Sequence, residues 1–166
     1  MIILADTRQQ KDLYITKKFD KNKVKWIRTK LDSADYMAIR YKNGKPYKDY
    51  TTLIDTKKDL LELSANLCRT SEHARIIREI ELAKELGCKH FIFLIKENKI
   101  KTPTDIKAWS NPHTKIKGTT LYKIMVTMQN KYGVNFIIKP RKEMGDTVID
   151  LLNANNEFTM GKKEGE

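Results

Sequence analysis

Asp55 and Lys57 stand one residue apart in the stretch TTLIDTKKDLLEL, residues 51–63, where an apolar run gives way to a helical pattern. Thr52, Leu53 and Ile54 are strand formers. Residues two apart in a strand share a face, so Asp55 and Lys57 project together beside Leu53, while Ile54 and Thr56 face the other way. A carboxylate next to an ammonium at a strand end has two readings. One is a surface ion pair. The other is part of a phosphodiester-hydrolysing site, in which two carboxylates hold a hard divalent cation that prefers oxygen ligands. There a lysine orients water and offsets the negative charge of the transition state. The second carboxylate is Asp35, at the start of an earlier strand pattern, provided the two strands are neighbours.

The elements that must position these groups follow from hydrophobic periodicity. IILA, residues 2–5, is a short buried strand, and a helix is expected from Gln9 to Phe19. KVKWIRTKL is a second strand, and ADYMAIRY a third, with Met37, Ile39 and Tyr41 on one side. Asn43-Gly44 marks a hairpin tip, and TTLIDTK is the returning strand. Leu60, Leu63 and Leu67 have helical spacing, as do Ile76, Ile77, Ile80, Ala83 and Leu86, with Gly87 as a stop. HFIFLI is continuously apolar, the signature of a strand covered on both faces. A short helix over Pro103–Trp109 follows, then a loop, and then a helix capped by Thr119 or Thr120 and ended by Gly133. The strand VNFIIK and the helix GDTVIDLL complete an α/β sheet with helices on its faces. Residues 1–152 read as one domain and 153–166 as a polar, frayed tail.

The 166 residues carry a net charge of +12, which attracts polyanions through counterion release and makes nucleic acid the first candidate partner. Only seven of the 33 basic side chains are arginine, a balance that favours backbone attraction over base reading. No apolar run reaches the roughly 20 residues that cross a bilayer, and the N-terminus lacks the pattern of a signal peptide, so a cytoplasmic protein with no membrane partner is expected. Cys68 and Cys88 form no CxxC pair and do not cluster with the histidines, which argues against a structural zinc site. Two stretches are strongly basic. Residues 17–30 read as a solvated face; residues 96–118, with six lysines against two acids, read as phosphate contacts. Trp109, within the second, reads as a small-core anchor.

With their neighbours added, these motifs become specific. ADTRQ near the N-terminus, LDSADY at 31–36, LIDTKKDLLELSANL at 53–67 and EHARIIREIELAKELGCKHFIFLI at 72–95 occur in order. Together they resemble the nuclease domain of the XPF and Hef family, within the PD-(D/E)XK superfamily. The resemblance implies a restriction-endonuclease-like mixed central sheet flanked by helices. It also implies a magnesium- or manganese-dependent endonuclease acting on branched DNA such as flaps, forks or four-way junctions. Asp35 matches the acid of the family's Gly-Asp-Tyr, and Asp55 and Lys57 match the acid and lysine of its Glu-Arg-Lys. Carried over, Asp35 and Asp55 hold the metal with a main-chain carbonyl near Thr56, Lys57 is the base facing the water, and Asp6 assists from a second metal or the outer shell. Arg8 belongs to the first motif. Arg75 and Glu79, four apart on a helix, make an ion pair by default, yet Glu79 lies between Ile76 and Ala83 beside the buried face, from where it reaches the metal site or fixes Lys57. Arg8, Arg75, Lys96, Lys99, Lys101, Lys115 and Lys117 are the candidate DNA contacts.

Four positions depart from the family pattern: Ala34 for glycine, Thr56 for arginine, Gln9 for glutamate and Leu61 for aspartate. Gln9, Thr56 and Leu61 favour the alternative of a basic DNA-binding module that no longer cuts, while the surviving acid and lysine core keeps the active-enzyme reading. The large family members add tandem helix-hairpin-helix modules and work as dimers. No such modules are visible here, so binding is expected from the domain itself, a homodimer or a partner chain. The abundance of lysine, isoleucine and asparagine suggests a bacterial or phage genome.

Overall fold

The computed structural model describes residues 1–154. In chain order the elements are β1 (Ile2–Asp6), α1 (Leu13–Lys21), β2 (Trp26–Thr29), β3 (Tyr36–Lys42), β4 (Lys45–Lys57), α2 (Leu60–Cys68), α3 (Thr70–Glu85) and β5 (His90–Lys96). After a 3-10 turn at Pro103–Ala108 come α4 (Gly118–Tyr132), β6 (Asn135–Lys139), a second 3-10 turn at Arg141–Glu143 and α5 (Met144–Asn153). The strands form one sheet in the order β2-β1-β3-β4-β5-β6. β3 runs antiparallel to both β1 and β4, whereas β1–β2, β4–β5 and β5–β6 are parallel, so the sheet is mixed and restriction-endonuclease-like. The expected polar tail lies outside the described residues from position 155 on.

Alternation along β4 and β5 builds a core on each face. Leu53, Phe91, Phe93 and Ile95 pack against Leu60 and Leu63 of α2, Ile76 and Ile80 of α3, and Leu121 and Met125 of α4. Ile54, Ile92 and Leu94 face the other way, against Ile15 and Phe19 of α1 and Met144 and Val148 of α5. This double burial explains why HFIFLI carries no polar alternation. α1 crosses α5 so closely that a Cβ on Gly145 would lie 2.5 Å from Lys18 Cβ.

Three elements differ from their sequence expectation. α1 begins at Leu13, four residues after Gln9, because Asp12 is tied elsewhere: it takes a bidentate pair from Arg28 at 2.9 and 3.1 Å and a hydrogen bond from the Tyr36 hydroxyl. α4 starts at Gly118 with no side-chain cap. A Cβ there would fall 2.0 Å from the Ile106 carbonyl oxygen, so glycine sets this start, and neither threonine does. β4 is longer than TTLIDTK and pairs with β3 from the Asn43-Gly44 tip inward, with a register shift between Tyr36 and Ala38. Among the described residues no helix is long and apolar enough to cross a membrane.

Candidate active site

Asp35 and Asp55 meet because β3 and β4 pair, with Tyr36 opposite Ile54. The main chain of Asp35 is fixed on both sides: its N–H donates to the Ile54 carbonyl at 2.9 Å, and its carbonyl accepts from the Asp6 N–H at 2.8 Å. At the end of β4, Asp55 and Lys57 share a face as a period of two demands, and Lys57 Nζ lies 2.9 Å from Asp55 Oδ1. The pair is nearly enclosed, with side-chain exposures of 7% and 6%. The Lys57 ammonium also stands 5.8 Å from the centroid of the Phe93 ring on the adjacent strand. Asp59 ends the strand and starts α2, since its Oδ1 accepts the Glu62 N–H at 2.8 Å as an N-cap.

Asp35 is half-buried and accepts twice from Thr56, from its N–H at 2.7 Å and its hydroxyl at 2.8 Å, both on Oδ2. Gln9 donates from its side chain to that same hydroxyl at 3.2 Å, so the position where the family pattern has glutamate still touches the site. Glu79 lines the cleft together with Asp35, Asp55 and Lys57, without a direct ion pair to Lys57. Its Oε1 accepts the Ala34 N–H at 2.9 Å, and Arg75 stands 3.7 Å from its other oxygen. Ala34 sits at φ 62, a left-handed conformation suited to the glycine of the family pattern. Glu79 thus holds the left-handed residue just before Asp35. Asp6 is fully buried and does not line the cleft. Its carboxylate is consumed by the Arg8 main-chain N–H, by the Arg8 guanidinium at 2.7 and 2.9 Å, and by the Leu31 N–H at 2.8 Å. It anchors Arg8, whose side chain remains 65% exposed at the cleft mouth.

The cleft has a volume of about 480 Å³. Arg75 and Arg78 line it from α3, Arg8 and Gln9 from the loop after β1, and Glu62 from the first turn of α2. Glu62 and Arg78 escaped the sequence reading. The available signals were that Glu62 begins a helix right after the strand end, and that Arg78 lies one turn from Arg75.

Electrostatics bind these groups together. Burial, then the neighbouring Asp55 charge, push the Asp35 carboxyl up to about 7, against the opposing Thr56 hydrogen bonds and Lys57. Burial and Asp55 likewise raise Glu79. Burial disfavours the Lys57 ammonium, but Asp55, Asp35 and Glu62 outweigh it and raise its pKa. This balance favours the charged form of Lys57. Burial also opposes the Asp6 charge, and the Arg8 and Leu31 hydrogen bonds more than compensate.

Among the described residues, no three histidine, cysteine, aspartate or glutamate side chains gather as a ready metal cage. The donor set nonetheless fits a hard divalent ion of the magnesium type, which takes one or two carboxylates and completes its shell with water and phosphate. The Asp55 charge raises the cost of ionising Asp35, and a cation beside Asp35 would relieve it.

The candidate DNA contacts divide. Lys96 lines a basic groove adjoining the cleft, and Lys101 lines a second basic groove beyond it. Lys99, Lys115 and Lys117 line neither the cleft nor these grooves; Lys117 is the residue at the start of α4. Trp109 packs against the larger core.

A family model described as the ERCC4 domain matches residues 5–150. Among solved structures the chain is similar to XPF from Aeropyrum pernix, with a TM-score of 0.65 at 13% identity, covering 92% of this chain and 63% of that one. It is equally similar to XPF from Aeropyrum pernix in complex with DNA, with a TM-score of 0.65 at 12% identity, covering 91% of this chain and 62% of that one. The chain thus spans less than two thirds of the length of these structures, and the likeness establishes the fold. No curated protein matches it.

Proposed function

The chain belongs to the ERCC4 domain family, and we propose that it is a magnesium- or manganese-dependent endonuclease that hydrolyses phosphodiester bonds in branched DNA. The observation that carries this reading is the meeting of Asp35, Asp55 and Lys57 in one cleft, with Lys57 Nζ 2.9 Å from Asp55. The net charge of +12 supports a polyanionic substrate, and a solved relative of the same fold is held with DNA.

Asp35 and Asp55 are the groups that would hold the metal, with the main chain near Thr56 alongside. Such an ion supplies positive charge and acidifies a bound water. Lys57 directs its N–H donors at the attacking water and offsets charge on the phosphate oxygens, held in position by Asp55. Thr56 and Gln9 fix the rotamer of Asp35, and Glu79 holds the turn before it. Arg8, Arg75 and Arg78 receive the phosphate backbone at the cleft mouth. A homodimer or a partner chain would extend the contact.

The test is cleavage of labelled duplex, flap, fork and four-way junction DNA with magnesium, with manganese and with chelator. Metal-dependent cutting, fastest on a branched substrate, is expected. Tight binding of branched DNA with no product in either metal would overturn the reading in favour of a module that binds without cutting, to which Gln9, Thr56 and Leu61 would then be the guide.

A further inference from the structure

Cations from distant segments converge beside the cleft. A groove of about 640 Å³ shares Arg8, Gln9, Thr56 and Glu62 with the cleft, and Lys11, Lys58, Lys96 and Arg141 extend it. A second groove, of about 890 Å³, shares Tyr14 and Arg141 with the first. Lys17 and Lys21 of α1 line it together with Lys101 and Lys142. The shared residues make one path leading out of the cleft.

Tyr14 stands at the joint of the two grooves. Lys96 Nζ lies 5.0 Å and Arg141 Cζ 4.7 Å from its ring centroid. Two cations drawn to one ring repel each other, and the ring quadrupole offsets part of that repulsion. Asn98 fixes the turn, its side-chain oxygen accepting the Arg141 N–H at 3.0 Å. The acids nearby are committed: Glu62 accepts the Lys58 N–H at 2.7 Å, Asp146 holds Lys18 at 3.0 Å, and Glu143 lies 3.9 Å from Lys139. Lys96 and Arg141 have no carboxylate partner among the described ion pairs. A brace that holds two unpaired cations together suits successive phosphates. Volumes of this size are those of small-ligand sites. A positively charged groove with an aromatic side chain at its joint is the arrangement that tracks a single-stranded backbone.

We propose that this path holds a single-stranded arm of the DNA substrate as it leaves the cleft, with Lys96 and Arg141, braced by Tyr14, gripping phosphates at the joint. The proposal rests on the reading of the cleft as a branched-DNA nuclease, but its test requires no cleavage.

The experiment is fluorescence anisotropy of the full chain in chelator, with a fork carrying a long single-stranded arm and with a blunt duplex of the same paired sequence. The double variant Lys96→Ala/Arg141→Ala is expected to bind the fork about tenfold more weakly and the duplex nearly as before. Its log–log salt slope on the fork should fall by about 1.4, at roughly 0.7 per single-strand phosphate contact. Tyr14→Leu, with circular dichroism as the check on folding, should reproduce part of the loss without removing a charge. Equal losses on both DNAs would assign the path to duplex, and no loss on either would leave it a solvated face; each overturns the proposal. If cleavage fails in every metal while arm-dependent binding persists, the nuclease reading falls and the path stands. If forks are cut normally and the double variant binds them like the parent, the path alone falls.

Discussion

The cleft and the basic path share four lining residues, yet they handle charge in opposite ways. In the cleft, Asp55 and Lys57 are enclosed and tied to each other, and Asp35 is held by Thr56. Along the path, Lys11, Lys17, Lys58 and Arg141 are exposed, and the Tyr14 ring stands under the Arg141 guanidinium. Enclosed charges are coupled, so removing one strands another at a cost of several kcal/mol. Exposed lysines act nearly independently through a screened field, each worth little. The difference separates chemistry, which needs fixed groups of tuned charge, from retention of a polyanion, which needs only density of charge.

The largest expected effect comes from breaking the enclosed pair. Lys57→Ala leaves Asp55 buried without its partner and should cost about 3–5 kcal/mol of stability, measured by urea unfolding. Combining it with Asp55→Asn should recover much of that loss, because no buried charge is then left uncompensated. If the single and double variants unfold alike, the pair is not coupled and the contrast with the path dissolves.

Asp35 offers the next test. A carboxyl raised to about 7 in the folded chain binds its proton more tightly than in the unfolded chain, where the value is near 4. The metal-free protein should therefore lose stability as pH rises from about 4 to 7. Asp35→Asn cannot ionise, so in chelator its thermal midpoint should exceed the parent's at pH 8, with the gap narrowing through pH 7 to 4 and closing below about pH 4. Added manganese should raise the parent's midpoint at pH 8 and leave the variant's nearly unchanged. Parallel pH curves for the two proteins would refute the shift.

The smallest effect belongs to the path. Lys17→Ala alone should weaken fork binding by only about two- to threefold and lower the salt slope by about 0.7, read by anisotropy across a salt series. A loss as large as that of Lys96→Ala/Arg141→Ala would show coupling among the path cations and blur the comparison.

The sequence made the cleft legible where the chemistry follows strand geometry. Asp55 and Lys57 share a face because the strand period is two, and Asp35 faces them once ADYMAIRY and TTLIDTK are read as a hairpin around Asn43-Gly44. Burial and long-range hydrogen bonds were not legible. Asp6 reads as an auxiliary acid until Leu31, 25 positions away, is found donating to it. Glu79 reads as a group near the metal and does line the cleft with Asp35 and Asp55, but its bond to Ala34, 45 positions away, was not legible. The path was least visible, because Lys17, Lys101 and Arg141 converge only when α1 packs on α5 and β6 joins β5. Composition marked 17–30 as a solvated face, whereas Lys17 and Lys21 line the second groove.

The most direct test of the account is the rate at which Asp55→Asn cuts a labelled fork in manganese, relative to the parent and to the parent in chelator. The account predicts that the variant falls by at least about 100-fold, to the level of the chelated parent, while still binding the fork. Cutting by Asp55→Asn near the parental rate, or parental cutting that survives chelator, would contradict it.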